Sequence, residues 1–600
     1  MLHGFSWRRC YGWATAAAAI AFPLLRLFPL NGQFQVDWYN HTWLAAYAGE
    51  YLRQRGTAPI VLNTTAYGGM PVPIFYGTLC YPLIGLLTTW INPAVAIRLV
   101  ALFLTWLQFH LVSRALVRVD VPAWQARAIA CLVIWAVYPM TNLYSRSAIP
   151  EYIATGLLTC AVASWFLLVN AERRKDRIRI GLGFGLAFVL AAGSHPITAL
   201  YSLPILALLL VTAYQEHGRD AAFWRSLLQS LALPVALVAV VLAPWLYAVS
   251  TFNRYLHIHL EDAPGVWFDP GGIDRWTTRF FPLPHDARMD GGYLPAALTP
   301  YLDAQANVPL LILIAGWLAV ACWRQRPAGR GALQSLAVAG IAFAFFTWIS
   351  LSPLAFELLP SFTALIQFAY RAITYQNLAL LLAVFALAGA LRRHGRLASR
   401  GAPLAWLFLG CLVIAGTGVV IKWRHASAAM AVGGNAGLRT TASERRRWNA
   451  LPPQYYGAAA YATPALFRQF SASDGEIELE LPIPVGGGAR FGRMEPARVN
   501  LDHPTWVRTS IQAFPWNQLK LDGVVVPLDQ VRAAGFQLIV RVPAGSHTLA
   551  MRSAPDPLWL VLRAVSFAVL GLWILLVLAL TLLAWSRPRP AAIRDAPQMV

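Results

Sequence analysis

Charged residues are scarce in this sequence. Only 12% of its 600 residues are Asp, Glu, Lys or Arg, about half the ~25% of an ordinary soluble domain. That scarcity excludes a string of soluble domains. Acids are the scarcer sign, with 27 Asp plus Glu against 48 Lys plus Arg. Cysteine is also sparse: Cys10, Cys80, Cys131, Cys160, Cys322 and Cys411 are dispersed in or beside apolar runs. None follows Lys422, so the polar segment that starts there has no disulfide framework and no cysteine metal site. No GxxxxGK[ST] loop, no GxGxxG after a strand, no GxSxG and no HExxH occurs.

Apolar residues fill the space. They make up 58% of the chain, and mean hydropathy is +0.52. Runs long enough to cross ~30 Å of hydrocarbon recur along it. Twelve spans are expected, near 11–29, 93–113, 126–143, 151–170, 180–193, 197–214, 229–249, 307–323, 332–350, 372–391, 403–421 and 558–585. The first follows Arg8 and Arg9 and shows no small-x-small cleavage site, so it reads as an uncleaved span.

The net charge of +21 is overwhelmingly arginine. Nucleic-acid binding is not expected, because these arginines lie in short loops between apolar runs and not on one polar face. The positive-inside rule accounts for them. With the N-terminus in the cytoplasm, Arg114/Arg118, Arg173–Arg179, Arg219/Arg225, Arg324/Arg326, Arg392/Arg393/Arg396 and Arg587/Arg589 all fall inside. Counting Pro73–Ile91 as a further span would invert the later loops. It carries Pro73, Gly77 and Pro82, and reads as a re-entrant or interfacial helix on the outer face.

The resulting fold class is mainly α: a polytopic helical membrane protein of the inner membrane, with about twelve spans. Residues 1–421 form the transmembrane domain. Residues 422–557 form a small extracytoplasmic β-sandwich-like domain, entered through an Ala/Gly/Ser-rich, flexible start. Alternating segments at Glu476–Leu481, Val507–Ile511, Gln518–Leu521, Phe536–Val542 and Thr548–Met551 read as its strands, with turns at Asp522–Gly523 and Ala544–Gly545. Residues 558–585 are the last span, and 586–600 a cytoplasmic tail.

Candidate chemistry lies at the outer ends of the spans. Asp37 and His41 are four apart, so on a helix they share one face. A carboxylate walled by Trp and Tyr at a membrane boundary suits a general base for a sugar hydroxyl. A helix N-cap beside a solvated histidine is the competing reading. Arg146 and Glu151 form either a structural ion pair or a site in which the arginine meets phosphate and the carboxylate meets a hydroxyl or metal. His195 stands in the Ser194–His195–Pro196 break, as a hydrogen-bonded turn residue or a site residue. Arg371 violates the positive-inside pattern and asks for an anion, which a lipid phosphate or Glu357 would supply. Tyr76 closes the Gly/Pro/aromatic run that begins at Tyr67. His257 and His259 could share a strand face and bind zinc, without a recognisable third ligand.

These same pieces carry a resemblance. Asp37-x3-His41, the Tyr67–Tyr76 run, Tyr144-x-Arg146-x4-Glu151, Ser194-His195-Pro196-Ile-Thr198 and Gln367-Phe-x-Tyr-Arg371 occur in this order. Leu521–Pro527 and Val542–His547 follow near the end. The chain resembles bacterial membrane proteins with a "6-pyruvoyl-tetrahydropterin synthase-related" domain, distant relatives of the GT-C glycosyltransferases that use polyprenyl-phosphate sugars. The resemblance implies transfer of a sugar from a polyprenyl-phosphate donor to an extracytoplasmic glycan, lipid or protein. Asp37 and Glu151 would be the catalytic acids. His41, Tyr76, Arg146, His195 and Arg371 would bind substrate. No cofactor is implied beyond a divalent metal that Glu151 would orient. The rival expectation is a membrane protein that binds or helps export cell-envelope polysaccharide or glycolipid without catalysis.

Overall fold

The computed structural model describes residues 7–27, 38–64, 67–252, 305–323, 330–352, 354–360, 363, 366, 369–392, 402–432, 466–486 and 490–586. Its helices are α1 (Trp7–Ala21, continued by a 3-10 stretch at Phe22–Leu27), α2 (Trp38–Arg55), α3 (Val72–Phe75), α4 (Cys80–Thr88), α5 (Pro93–Arg118), α6 (Ala123–Ile134), α7 (Val137–Met140), α8 (Ile149–Val169), α9 (Arg174–Ser194), α10 (Pro196–Tyr201), α11 (Leu203–His217), α12 (Ala221–Phe252), α13 (Val308–Trp323), α14 (Arg330–Leu351), α15 (Leu354–Leu358), α16 (Ile373–Arg392), α17 (Ala402–Val432) and α18 (Pro557–Ser586).

Among the described residues, nine helical stretches are long and apolar enough to cross a membrane. A tenth is α6 with the Val137–Ser145 segment, bent by 45° at the break. Ala14–Leu27 and Val308–Ala319 are shorter apolar helices. Each of the twelve expected spans coincides with one of these. The chain is a mainly helical, multi-pass membrane protein.

Burial sorts the helices. Every residue of α8 is buried, as befits a helix that is apolar all round and sits inside a bundle. It packs against α5, α9 and α16. At the other extreme, α18 packs on α12 and α9 but exposes Leu572, Leu575, Leu578 and Leu582. Lipid covers such a face at no cost, since every backbone group is already paired within the helix.

The Pro73–Ile91 stretch forms no helix long enough to cross. Its helix α4 has nine residues, about 13 Å at 1.5 Å per residue, under half of ~30 Å of hydrocarbon. It packs against α2, and Leu79 N–H donates to the Gly193 carbonyl at the end of α9. The polar segment starts later than expected: α17 runs to Val432. The Ala-rich sequence after Lys422 is made of good helix formers, so the span continues into it.

Among the described residues beyond α17 lie nine strands: β1 (Arg468–Gln469), β2 (Leu479–Leu481), β3 (Ala497–Leu501), β4 (Thr505–Gln512), β5 (Asn517–Leu521), β6 (Val524–Val525), β7 (Val531–Ala534), β8 (Gln537–Val542) and β9 (Gly545–Ser553). They form a five-stranded sheet, β1-β7-β8-β4-β2, and a four-stranded sheet, β3-β9-β5-β6. Val499, Leu519 and Leu549 from one sheet meet Val507, Leu538 and Val540 from the other in one core. Asp522 and Gly523, with φ of +52° and +84°, make the tight β5–β6 hairpin that Asp-Gly favours. The strands β1, β3, β6 and β7 were not expected from sequence; β3 alternates buried and exposed residues and β7 buried and half-buried ones, each over only four or five positions.

The sandwich is fastened to the first loop. Gly68 N–H donates to the Ser510 carbonyl, and Gln512 N–H donates to the Gly68 carbonyl. Asn517 Nδ2 donates to the Gly69 carbonyl at 2.9 Å. A Cβ on Gly69, whose φ is +75°, would lie 2.2 Å from the Asn517 amide. One on Gly68 would lie 2.4 Å from Met494 Cε. The glycines of the Tyr67–Tyr76 run therefore let two backbones approach.

Candidate functional site

The site begins at a distortion. After the bend at Trp135, the helix changes to a π turn at Thr141–Ser145 and then breaks. Ser147 takes φ of +53°, a left-handed conformation that a non-glycine residue adopts at a cost. Single π turns recur at functional positions because they re-aim side chains. Here the turn brings Asn142 and Arg146 to the start of α8, where Glu151 occupies the first turn behind Pro150.

Glu151 is 1% exposed. Its Oε1 accepts from Tyr138 OH at 2.7 Å and from Asn142 Nδ2 at 3.2 Å. Its Oε2 accepts from Arg146 Nη1 at 3.0 Å and lies 3.2 Å from Arg371 Nε. Asn142 Oδ1 accepts from Arg146 Nη1 at 2.7 Å, and the Arg146 guanidinium lies 5.0 Å from the Tyr370 ring centroid. Arg371 also donates to the Ile366 carbonyl. Three hydrogen bonds and an ion-pair contact with Arg371 thus surround the carboxylate. Arg371 finds its carboxylate in Glu151, on a distant helix, and not in Glu357.

His195 caps the start of α10. Thr198 N–H donates to His195 Nδ1 at 3.2 Å, and Thr198 Oγ1 lies 2.7 Å from the same atom. A backbone N–H can only donate, so Nδ1 is the acceptor and the neutral ring carries its proton on Nε2. Tyr375 OH holds the Thr198 carbonyl from α16. Glu151, Arg371 and Arg146 are near enough for their charges to act on His195.

The wall continues through aromatics. The Tyr76 ring meets the His195 ring edge-on at 5.6 Å and the Tyr81 ring at 6.3 Å. Tyr81 OH lies 2.7 Å from His41 Nδ1. His41 is buried, not solvated. Burial, with His195 and Arg146 nearby, pushes it down to about 3, so it is neutral at physiological pH.

Six of the seven residues to which the resemblance gave a role therefore gather in one place: His41, Tyr76, Arg146, Glu151, His195 and Arg371. The seventh, Asp37, lies outside the described residues, immediately before α2. His257 and His259 also lie outside them. Among the described residues, no three His, Cys, Asp or Glu side chains group as a metal site. The neighbours of the Glu151 oxygens are Tyr138, Asn142 and two arginines.

Sequence reasoning missed Tyr138, Asn142, Tyr81 and Lys422. The first two precede Arg146 by eight and four positions, a helical spacing that was legible. Lys422 is 1% exposed on α17, with Nζ 3.4 Å from Ser145 Oγ in the π turn. Its place at the end of a span made it look like the first residue of a polar segment.

No family model matches the chain, and no curated protein matches it. Two solved structures of ArnT from Cupriavidus metallidurans are similar to it. The first, bound to undecaprenyl phosphate, is 17% identical, with 71% of this chain and 78% of that chain covered and a TM-score of 0.39. The second, in the apo state, is 18% identical, with coverage of 72% and 78% and a TM-score of 0.35.

Proposed function

We propose that the chain is a GT-C-type glycosyltransferase of the inner membrane, moving a sugar from a polyprenyl-phosphate donor to an extracytoplasmic acceptor. The observation that carries this reading is the buried Glu151–Arg146–Arg371 cluster with His195 beside it. It lies at the end of the bundle opposite the basic loops, near the sandwich. Two guanidiniums held in place by one carboxylate are a preorganised phosphate site.

In this reading Arg146 and Arg371 bind the donor phosphate, and His195 Nε2–H donates to it. Glu151 is a positioning residue, because it holds the two guanidiniums in place. The acceptor hydroxyl attacks the anomeric carbon, forming the new glycosidic C–O bond. The C–O bond to phosphate breaks with inversion, the electron pair leaves on the phosphate oxygen, and the hydroxyl proton passes to Asp37. The arginines and His195 stabilise the charge that develops on the leaving phosphate. Tyr76, Tyr81 and His41 wall the sugar, and the sandwich binds the acceptor.

One observation favours the second reading, a glycolipid-binding protein that breaks no bond. The carboxylate described at the site is buried and held as the counter-ion of two arginines, not poised as a base. Asp37→Asn separates the two. Asn caps a helix as well as Asp does, so the variant keeps its membrane level. In vesicles with polyprenyl-phosphate sugars and acceptor, catalysis predicts a loss of transfer of ~100-fold or more. Unchanged transfer removes Asp37 as the base. No transfer by the parent chain, with polyprenyl phosphate still bound, establishes the binding reading.

A further inference from the structure

The cytoplasmic half of the bundle holds a cavity, remote from the Glu151 cluster. It encloses about 320 Å³ between α1, α5, α6 and α17, the lower end of the range for ligand pockets. Its lining is apolar, including Ala16, Phe109, Phe408 and Leu412, with Trp124 and Arg127 at one end. The helix register sets its depth. Arg127 is the fifth residue of α6, about 6 Å along the axis, while Leu412 is about 15 Å from the start of α17 and Phe109 about 13 Å from the end of α5. All three of those helix ends adjoin basic loops. The cavity thus spans one leaflet's worth of hydrocarbon, about half of ~30 Å.

We propose that this cavity is a binding site for an anionic diacyl phospholipid of the cytoplasmic leaflet. One acyl chain lies in the apolar groove, and the phosphate meets Arg127. Charge decides the occupant. Arg127 is exposed, and it has neither a hydrogen-bond nor an ion-pair partner among the described residues. It is the charged side chain in a lining that is otherwise apolar apart from Thr15. A guanidinium so close to hydrocarbon reaches for the head-group layer, where it pairs with phosphate. Trp124, half exposed beside it, sits at the head-group level that tryptophan favours. A basic pocket between spans on the cytoplasmic side is the geometry that recognises anionic head groups. This site is independent of the reading given to the Glu151 cluster at the opposite end.

The test uses the full chain in nanodiscs with equimolar phosphatidylglycerol and phosphatidylcholine, and native mass spectrometry of the lipid retained on release. The parent should retain phosphatidylglycerol over phosphatidylcholine by about fivefold, the preference one arginine near the surface gives. Arg127→Gln, a change at an exposed position, should abolish the preference. Ala405→Trp, from the exposed face of α17 into the groove, should lower retention of both lipids, with the chain still monodisperse. An undiminished preference in Arg127→Gln overturns the proposal. So does full retention in Ala405→Trp, or selective retention of added polyprenyl phosphate in place of phosphatidylglycerol.

Discussion

Replacing Glu151 by Gln is the sharpest perturbation of the cluster. The shape is kept and one charge is lost. Tyr138 and Asn142 can still find an acceptor at the amide oxygen. The atom facing Arg146 Nη1 at 3.0 Å and Arg371 Nε at 3.2 Å then becomes an NH2 group or an oxygen without charge. The side chains of Arg146 and Arg371 are 8% and 12% exposed, so water replaces little of the lost interaction. Breaking a buried pair from one side costs about 3–5 kcal/mol, because the remaining charge stays buried. Two guanidiniums share this carboxylate, so the upper half of that range is expected. The assay is unfolding in mixed micelles followed by tryptophan fluorescence, run as a double-mutant cycle with Arg371→Gln. The double variant should recover part of the loss, by a coupling of about 1–3 kcal/mol. Polyprenyl phosphate should restore stability to Glu151→Gln by returning an anion to the arginines. A loss below ~0.5 kcal/mol, the size of an ordinary surface change, would refute the electrostatic role assigned to Glu151.

Two further outcomes follow from other parts of the molecule. His195→Asn keeps a side-chain acceptor for Thr198 N–H but removes the Nε2 donor; stability should hold, while transfer falls by about 100-fold, the loss of one donor to a developing oxyanion. In the sandwich, the hydrogen bond between Asp522 and His547 holds His547 above the usual imidazole value and Asp522 below the usual carboxylate value. The histidine's contribution is full below its unfolded pKa of ~6.5 and is lost as pH rises through the raised value, whereas the aspartate's is full above ~3.9 and is lost as pH falls through the lowered one. Hydrogen exchange in β9 should accordingly quicken beyond its intrinsic rate as pH rises above ~6.5, and Asp522→Asn should flatten that rise; an identical profile in the variant removes the pair as its cause.

The spans were legible in the sequence because crossing a bilayer is a local property. About 20 apolar residues suffice, whatever surrounds them. The non-crossing character of Pro73–Ile91 followed from the same reasoning, since the basic loops after it constrain the parity. His41, Arg146, Glu151, His195 and Arg371 stood out for a related reason: an ionisable group at membrane depth is costly and needs a purpose. Short strands such as β3 and β7 were not legible, because alternation over so few residues carries little signal. Nor was the continuation of α17, where helix-forming alanines followed a lysine that only burial explains.

Partners, tautomers and close approaches were decided by tertiary structure alone. Nothing in the sequence around Arg371 names Glu151 as its carboxylate; the packing of α16 against α8 does. The proton of neutral His195 sits on Nε2 because a backbone N–H one turn on occupies Nδ1. Gly68 and Gly69 stood in the sequence only as part of a Gly/Pro/aromatic run, and the fold uses them to bring the loop backbone onto β4 and Asn517. Apolar length and charge are summed along the chain, so sequence alone determined the membrane fold. Hydrogen bonds and ion pairs depend on which distant atoms come within about 3 Å, and only the assembled bundle decided those.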